Sequence, residues 1–227
     1  VGIGGSDLGP RAMYIALKNY LAGEGQASKL NARFISNVDP DDAAEVMEHV
    51  DPETTLFVLV SKSGTTQETL TNEAFVIEKM RERDVRGLDP RRHMVAVTSE
   101  TSPLARSGEY LDAFFIDDYI GGRYSSTSAV GGCVLSLAFG PDIFEEFLAG
   151  AHEADRAALE PDIHQNAALM DALIGIYERN VLGYPSTAVL PYSQALSRFP
   201  AHLQQLDMES NGKSVTREGK PIGYSTG

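Results

Sequence analysis

The chain has 227 residues, of which 42% are hydrophobic and 22% are charged. This balance is typical of a globular protein and excludes a disordered chain, a collagen and a coiled coil. With 32 acidic residues against 19 basic ones, the net charge of -13 argues against a broad basic surface that would bind nucleic acid or an anionic membrane.

Short apolar runs alternate with longer amphipathic stretches, a pattern typical of βαβ units around a parallel sheet. Strands are predicted over residues 33–38, 56–60, 93–98, 113–116 and 186–190. Helices are predicted over residues 9–21, 40–50, 67–83 and 127–139, and a capping box of Thr65 with Glu68 opens the third. Two helical stretches between residues 142 and 180 are broken at Pro161, and another helix begins near Gln194. Because no repeat or long linker divides the chain, we predict an α/β fold with one domain over residues 1–227.

The chain carries a single cysteine and no long apolar segment. Cys133 alone permits neither an internal disulfide nor a cysteine cluster for zinc, which suits a reducing cytoplasm. No apolar run approaches the roughly 18 residues of a membrane-spanning helix. Residues 1–5 (VGIGG) resemble a strand end that runs into a glycine turn, with no methionine before it. We therefore expect a cytoplasmic protein without a membrane partner. We also expect the chain to be a piece of a longer one, in which residues 191–227 lead toward further segments.

Two glycine-rich and hydroxyl-rich segments lie at predicted strand ends, where ligands gather in open parallel sheets. Residues 2–10 (GIGGSDLGP) place glycines before a helix start, which suits an anion, although packing alone is the alternative. Residues 61–69 (SKSGTTQET) offer several hydroxyls to a phosphate group. Since a helix cap needs one hydroxyl, phosphate binding is favoured here over capping alone. Neither segment has the spacing of a dinucleotide fingerprint or a Walker A loop.

Two later segments carry ionisable residues. Residues 121–128 (GGRYSSTS) hold Arg123 in a glycine loop, where its charge can face a phosphate or a developing oxyanion. A surface salt bridge is the alternative role for this arginine. Residues 204–213 (QQLDMESNGK) place Glu209 near a helix end, where a partly desolvated carboxylate can act as a general base. Spacing alone leaves this open, because most such glutamates are only solvated.

Taken together and in this order, the four segments resemble motifs of the phosphoglucose isomerase (glucose-6-phosphate isomerase) family across the whole chain. The resemblance implies a sugar isomerase (SIS) domain, a three-layer αβα sandwich whose five-stranded parallel sheet binds a phosphosugar at its carboxyl edge. It implies a proton transfer between C1 and C2 that interconverts glucose 6-phosphate and fructose 6-phosphate in glycolysis and gluconeogenesis. It implies no metal or redox cofactor and no nucleic-acid partner, and family members are homodimers.

The resemblance also assigns roles to individual residues. Glu209 is the expected base, and Arg123 is the cation expected to stabilise the cis-enediolate. Substrate or phosphate binding is implied for Gly5, Ser6, Ser61, Lys62, Ser63, Thr66, Gly122 and Gln205. The family's ring-opening histidine and its C-terminal lysine belong to motifs that would lie beyond Gly227, and none of the five histidines present matches them. His202 alone draws attention, because it lies two helical turns before Glu209.

Three functions fit these motifs: this isomerase, an isomerase of another sugar phosphate such as mannose 6-phosphate, and a non-catalytic module that binds phosphosugars. A module that only senses a phosphosugar needs the hydroxyl loop but has no use for a base near C1 and C2. The presence of both Glu209 and Arg123 favours the enzyme. We expect the chain alone to be incomplete or inactive.

Overall fold

The computed structural model describes residues 1–26 and 28–226. Its central parallel sheet has the order β1–β2–β3, with β1 over Phe57–Val60, β2 over Met94–Thr98 and β3 over Asp112–Phe115. All five residues of β2 are buried, as expected for a middle strand with an uninterrupted apolar sequence. The strands run parallel, so their carboxyl ends meet at one edge of the sheet.

Helices cover both faces of this sheet. The α-helices are α1 (Leu8–Gly23), α2 (Pro40–Glu48), α3 (Gln67–Glu82), α4 (Pro103–Arg106), α5 (Ala129–Phe139), α6 (Pro141–Ala158), α7 (Ala167–Ile176) and α8 (Phe199–Asn211). Short 3-10 helices cover Gly4–Ser6, Pro90–His93, Gly122–Thr127 and Gln194–Leu196, and a π-helical turn covers Tyr177–Val181. Phe57 packs with Val76 and Met80 of α3, whereas Val60 packs with Val130 of α5. The two-residue period of β1 therefore buries both of its faces in a layered α/β arrangement.

A second apolar cluster holds α1 against α5. Leu135 is fully buried there, and the rings of Tyr14 and Phe139 stack with centroids 5.4 Å apart. Full burial of such a side chain contributes about 1.5–3 kcal/mol. The hydroxyl of Tyr14 accepts a hydrogen bond from the Ala32 amide at 3.1 Å, so the phenol has a polar partner. This cluster fixes the middle and end of α1 on α5, and the first glycine loop leads into the start of the same helix.

The prediction of five strands was wrong for two segments within the described residues. Residues 33–38 contain no strand, although the Gly2 amide donates to the Ile35 carbonyl at 3.1 Å and Val1 makes two main-chain bonds to β1. The segment is bonded to β1 only through Val1 and Gly2. Two residues are too few to form a ladder of main-chain hydrogen bonds with residues 33–38. Residues 186–190 are all exposed and have no neighbouring strand, so their β-branched residues do not form one.

The boundaries of the first four predicted helices agree with the structure to within two residues, whereas the helix predicted to begin near Gln194 is a 3-10 turn followed by α8 from Phe199. The predicted capping box is wrong: Thr66 is the cap position of α3, without a side-chain cap bond, and the Thr65 hydroxyl donates to Ser63 instead. α5 begins two residues later than predicted because Gly122–Thr127 forms a 3-10 helix and Ser128 caps α5 through the Val130 amide at 3.3 Å.

The helices in the last third of the chain bury few side chains in the core. The predicted break at Pro161 is confirmed, and Asn166 caps α7 by accepting from the Leu169 amide at 2.9 Å. Neither α6 nor α7 has a buried residue, and Ile174 and Ile176 are exposed. Within the described ranges, no helix has the length and apolar character that a bilayer crossing requires.

Candidate active site

A cleft of about 430 Å³ opens beside the carboxyl ends of β1 and β2. Seven of the eight residues expected to bind substrate line it: Gly5, Ser6, Ser61, Lys62, Ser63, Thr66 and Gly122. They come from three loops that are far apart in the sequence. The parallel sheet brings these loops to one edge, which is the general location of ligands in open α/β sheets.

The loop between β1 and α3 is a cluster of hydroxyl groups. Ser61 is buried, and its Oγ donates to Thr66 Oγ1 at 3.0 Å and accepts from the Gly64 amide at 3.2 Å. Ser63 Oγ accepts from the Thr65 amide at 3.2 Å. Gly64 has a φ of +68°, which glycine adopts without strain. Because the first amides of a helix lack partners within it, this loop gathers N–H and O–H donors at one point, as a phosphate group requires.

The first glycine loop (residues 2–10) and the loop that carries Arg123 (residues 121–128) are in direct backbone contact. A Cβ on Gly5 would lie 2.1 Å from the carbonyl carbon of Gly122 and 2.6 Å from the amide nitrogen of Arg123. Ser125 Oγ donates to the carbonyl oxygens of Gly122 at 2.6 Å and Gly5 at 3.2 Å. Only a residue without a side chain fits at Gly5, and the contact fixes the backbone that leads into Arg123.

Arg123 and Glu209 form an ion pair next to the cleft. Nη1 of Arg123 donates to Oε2 of Glu209 at 3.2 Å, and Nε2 of Gln205 donates to Oε1 at 3.0 Å. Gln205 and Glu209 are one turn apart on α8, so both lie on the same helix face. The Glu209 side chain is 51% exposed, which leaves its carboxylate open to a ligand. The site therefore places an accessible carboxylate beside a fixed cation.

Two further residues hold Arg123, and the sequence analysis did not single them out. Nε of Arg123 donates to Ser210 Oγ at 2.9 Å, and the guanidinium lies 5.1 Å from the ring centroid of Tyr124. The Tyr124 hydroxyl is 2.9 Å from Ser210 Oγ, and this hydrogen bond lowers the pKa of the phenol. Both residues flank predicted ones in the sequence, but only the fold shows that they meet.

Lys62 uses its side chain away from the hydroxyl cluster. Its Nζ donates to the carbonyl oxygens of Asp118 at 2.5 Å and Ile120 at 2.8 Å. Its own carbonyl accepts from the Ser99 amide at 3.0 Å. Lys62 therefore lines the cleft while its ammonium binds the loop that precedes Arg123.

A second group of cleft residues follows β2 and β3 and was missed in the sequence. These residues are Ser99, Thr101, Ser102 and Asp118. Ser99 Oγ donates to Asp118 Oδ1 at 2.5 Å, and Thr98 Oγ1 is 2.6 Å from Ser102 Oγ. The run SETS over residues 99–102 was the available signal, because it directly follows the strand predicted over residues 93–98.

His202 lies behind the site. It is buried against α1, where a Cβ on Gly9 would be 3.1 Å from its Cε1. Burial lowers the pKa of the imidazole, so it is neutral at pH 7. In the part of the chain that the structure describes, no three His, Cys, Asp or Glu side chains are grouped to hold a metal ion.

Comparison with known proteins covers the whole chain. The family model described as phosphoglucose isomerase matches residues 1–227. The chain is 66% identical over 227 residues to a glucose-6-phosphate isomerase of Treponema pallidum (strain Nichols), and 52% identical over 228 residues to that of Protochlamydia amoebophila (strain UWE25). Both alignments cover 100% of this chain but only 42% and 41% of the relatives, so the chain spans less than half of their length.

Solved structures give the same result. The crystal structure of a glucose-6-phosphate isomerase from Chlamydia trachomatis D/UW-3/Cx has a TM-score of 0.91 at 50% identity, covering 99% of this chain and 42% of that one. The crystal structure of a hypothetical protein from Thermus thermophilus has a TM-score of 0.76 at 33% identity, covering 99% of this chain and 51% of that one. The resemblance carried by the four segments is therefore confirmed, and the chain belongs to the phosphoglucose isomerase family.

Proposed function

We propose that this chain supplies the phosphate-binding and proton-transfer groups of a glucose-6-phosphate isomerase, which interconverts glucose 6-phosphate and fructose 6-phosphate. One observation carries the proposal: Gly122 lines the hydroxyl-rich cleft, and the next residue, Arg123, pairs with Glu209. The relatives with this name are longer, since the chain covers 42% of the Treponema protein. We therefore propose the activity for a protein of that length that contains this chain.

The phosphate group is assigned to the loop between β1 and α3. Hydroxyls of Ser61, Ser63 and Thr66 and the first amides of α3 supply donors, and Ser6 lies across the cleft. Such local donors suit a dianion bound to a protein with a net charge of -13, because they act at hydrogen-bond distance. Binding of the distant phosphate positions the reacting carbons near the base.

Glu209 is assigned the proton transfer, and Arg123 is assigned the stabilisation of the negative charge that develops on oxygen. Glu209 removes the C2 proton of the open-chain aldose, the electron pair forms the C1–C2 double bond, and the C1 oxygen becomes the enediolate oxygen. The carbon-bound proton then returns to C1, and the proton of the C2 hydroxyl passes to the C1 oxygen, which leaves a ketone at C2 and a hydroxyl at C1. Such a base typically accelerates the reaction ~10²- to 10⁴-fold. Since Glu209 and Arg123 bind each other at 3.2 Å, substrate must exchange this contact for its own.

The finer predictions on fold and assembly are part of the same proposal. Residues 1–227 are assigned to a single SIS domain, and residues 191–227 lead toward further segments. The complete sheet of the longer protein has five strands, two more than the three described above. The main-chain bonds of Val1 and Gly2 to β1 and Ile35 support an additional strand at that edge. Exposed apolar side chains such as Ile174 and Ile176 support contacts with further segments or with a second subunit of a homodimer. The single cysteine supports a cytoplasmic location.

Deuterium exchange tests the proton transfer directly. The protein is incubated with fructose 6-phosphate in D₂O, and deuterium entry at C1 is followed by NMR, both for this chain and for the longer protein. We expect exchange that Glu209→Gln abolishes. Glu153→Gln is the matched control, because Glu153 also pairs with an arginine at 3.2 Å but lies on the exposed α6.

The outcomes separate the candidate functions. Exchange in the longer protein only means that this chain needs the additional segments. No exchange in either protein, with phosphosugar binding retained, means a non-catalytic phosphosugar-binding module. Exchange that survives Glu209→Gln rules out this residue as the base.

A further inference from the structure

We infer that Lys62 is a positioning residue that joins the phosphate-binding loop to the loop carrying Arg123, and that it does not bind the phosphate through its charge. The inference rests on the proposed function and deepens it. A lysine among phosphate-binding hydroxyls suggests a direct ligand, but its Nζ donates to the carbonyls of Asp118 and Ile120 at 2.5 and 2.8 Å.

The loop that Lys62 binds is restrained by the packing of Ile120 beside Val60 and Val130 and by few other polar contacts. Residues 117–121 run from the end of β3 to the 3-10 helix Gly122–Thr127, which begins one residue before Arg123. The carboxylate of Asp118 accepts a hydrogen bond from Ser99 Oγ, and the Ile120 amide donates to the Asp117 carbonyl. The two bonds from the Lys62 ammonium and the bond to the Asp118 carboxylate are all charge-assisted, whereas the bond of the Ile120 amide is neutral and weaker. Of these three charge-assisted bonds, Lys62 supplies the two that join this loop to the phosphate-binding loop.

The far end of the same loop is fixed at Gly5. The close contact between Gly5 and Gly122 and the two hydrogen bonds of Ser125 restrain the backbone immediately before Arg123. The backbone that carries Arg123 is thus placed by two sets of contacts, one to the first glycine loop and one to the phosphate-binding loop. Because Ser61 and Ser63 flank Lys62, a phosphate held by these hydroxyls also fixes the base of the lysine. Binding at the phosphate then restrains the cation at the reacting carbons.

The test uses the longer isomerase with Lys62→Met, which keeps most of the side-chain volume and removes the donors. We expect kcat to fall ~10²-fold, the loss typical of a misplacement of about 1 Å, while KM and inhibition by inorganic phosphate change less than about 3-fold. Lys79→Met is the matched control, because Lys79 is a half-exposed lysine at the end of α3, paired with Glu82 outside the cleft. Its kinetic constants are expected to stay within about 2-fold of the wild type.

A double-mutant cycle shows whether Lys62 acts through Arg123. In an Arg123→Lys background, Lys62→Met should cost less than about 3-fold in kcat, since the group it positions is already lost. An equal loss in both backgrounds overturns the inference. So does a rise of about 10-fold or more in the inhibition constant of phosphate, which would make Lys62 a direct ligand.

A second variant keeps the inference testable if Lys62→Met does not fold. Ser99→Ala removes one hydroxyl and its bond to Asp118. We expect about a 5-fold loss of kcat that disappears in the Arg123→Lys background, and an undiminished loss there overturns the inference. If the wild-type protein itself does not isomerise its substrate, the proposed function fails, and that result is separate from any effect of Lys62.

Discussion

Gly5→Ala is expected to disable the site although Gly5 carries no chemistry. The added Cβ would lie 2.1 Å from the carbonyl carbon and 2.3 Å from the carbonyl oxygen of Gly122. Both atoms belong to backbone, so no side chain can rotate away to make room. The two loops must separate by roughly 1 Å or more to restore ordinary van der Waals contact.

This separation has two costs that can be measured apart. Overpacking of this kind destabilises a fold by about 1–3 kcal/mol, and we place Gly5→Ala at the upper end because backbone meets backbone. Moving Gly122 also moves Arg123, and a misplacement of about 1 Å in a catalytic group lowers the rate ~10²-fold. Phosphate binding by Ser61 and Ser63 should change little, because those hydroxyls are held by their own loop.

Urea unfolding, monitored by circular dichroism, gives the free energy of unfolding of each variant. Steady-state kinetics of the proposed enzyme gives kcat. Gly23→Ala is the control: this glycine ends α1, and its Cβ would meet nothing within 4 Å. We expect it to stabilise the protein by about 0.5–1 kcal/mol through the better helix propensity of alanine. If Gly5→Ala unfolds within about 0.5 kcal/mol of the wild type with normal kcat, the reasoning from this contact is refuted.

Three other predictions concern single side chains. Ser210→Ala should lower kcat of the proposed enzyme about 10-fold by releasing Arg123, whereas Tyr124→Phe keeps the ring under the guanidinium and should cost less than about 3-fold; equal losses would contradict this order. Burial raises the pKa of Asp7, so its ionisation disfavours folding, and Asp7→Asn should raise the free energy of unfolding at pH 7. That advantage should vanish below the ordinary carboxyl value of 3.8, and a constant difference across pH would exclude this cause. Burial raises the pKa of Cys133 to about 11, so iodoacetamide at pH 8 should modify the folded chain ~10-fold more slowly than the urea-unfolded chain; equal rates would mean an accessible thiolate.

The sequence predicts those parts of the fold that local patterns determine. The uninterrupted apolar run of β2 and the amphipathic period of α3 were enough to place both elements, because burial follows directly from such patterns. Residues 186–190 have the same β-branched character as a strand but lack a neighbour to pair with. A strand exists only with a partner, and a single segment carries no information about its partner.

The sequence could name the residues of the proposed site but not the contacts between them. Arg123 and Glu209 are 86 positions apart, and Lys62 and Asp118 are 56 positions apart. Each motif alone could also be explained by a purely structural role, such as a helix cap or a surface salt bridge. Their order along the chain, matched to a known family, resolved that ambiguity. The fold then accounts for the match by bringing the loops of β1, β2 and β3 to one edge of the sheet.

What the sequence could not show is that main-chain groups and neutral hydroxyls do the positioning. Lys62 binds two carbonyl oxygens, Ser125 binds two more, and Ser210 holds the guanidinium of Arg123. Carbonyl oxygens occur at every residue and therefore leave no mark in a sequence. A lysine beside phosphate-binding serines consequently suggests a ligand, whereas the geometry makes it a connection between loops. In the proposed enzyme, the charge that faces the reaction is that of Arg123, and the contacts of Lys62 determine where this arginine lies.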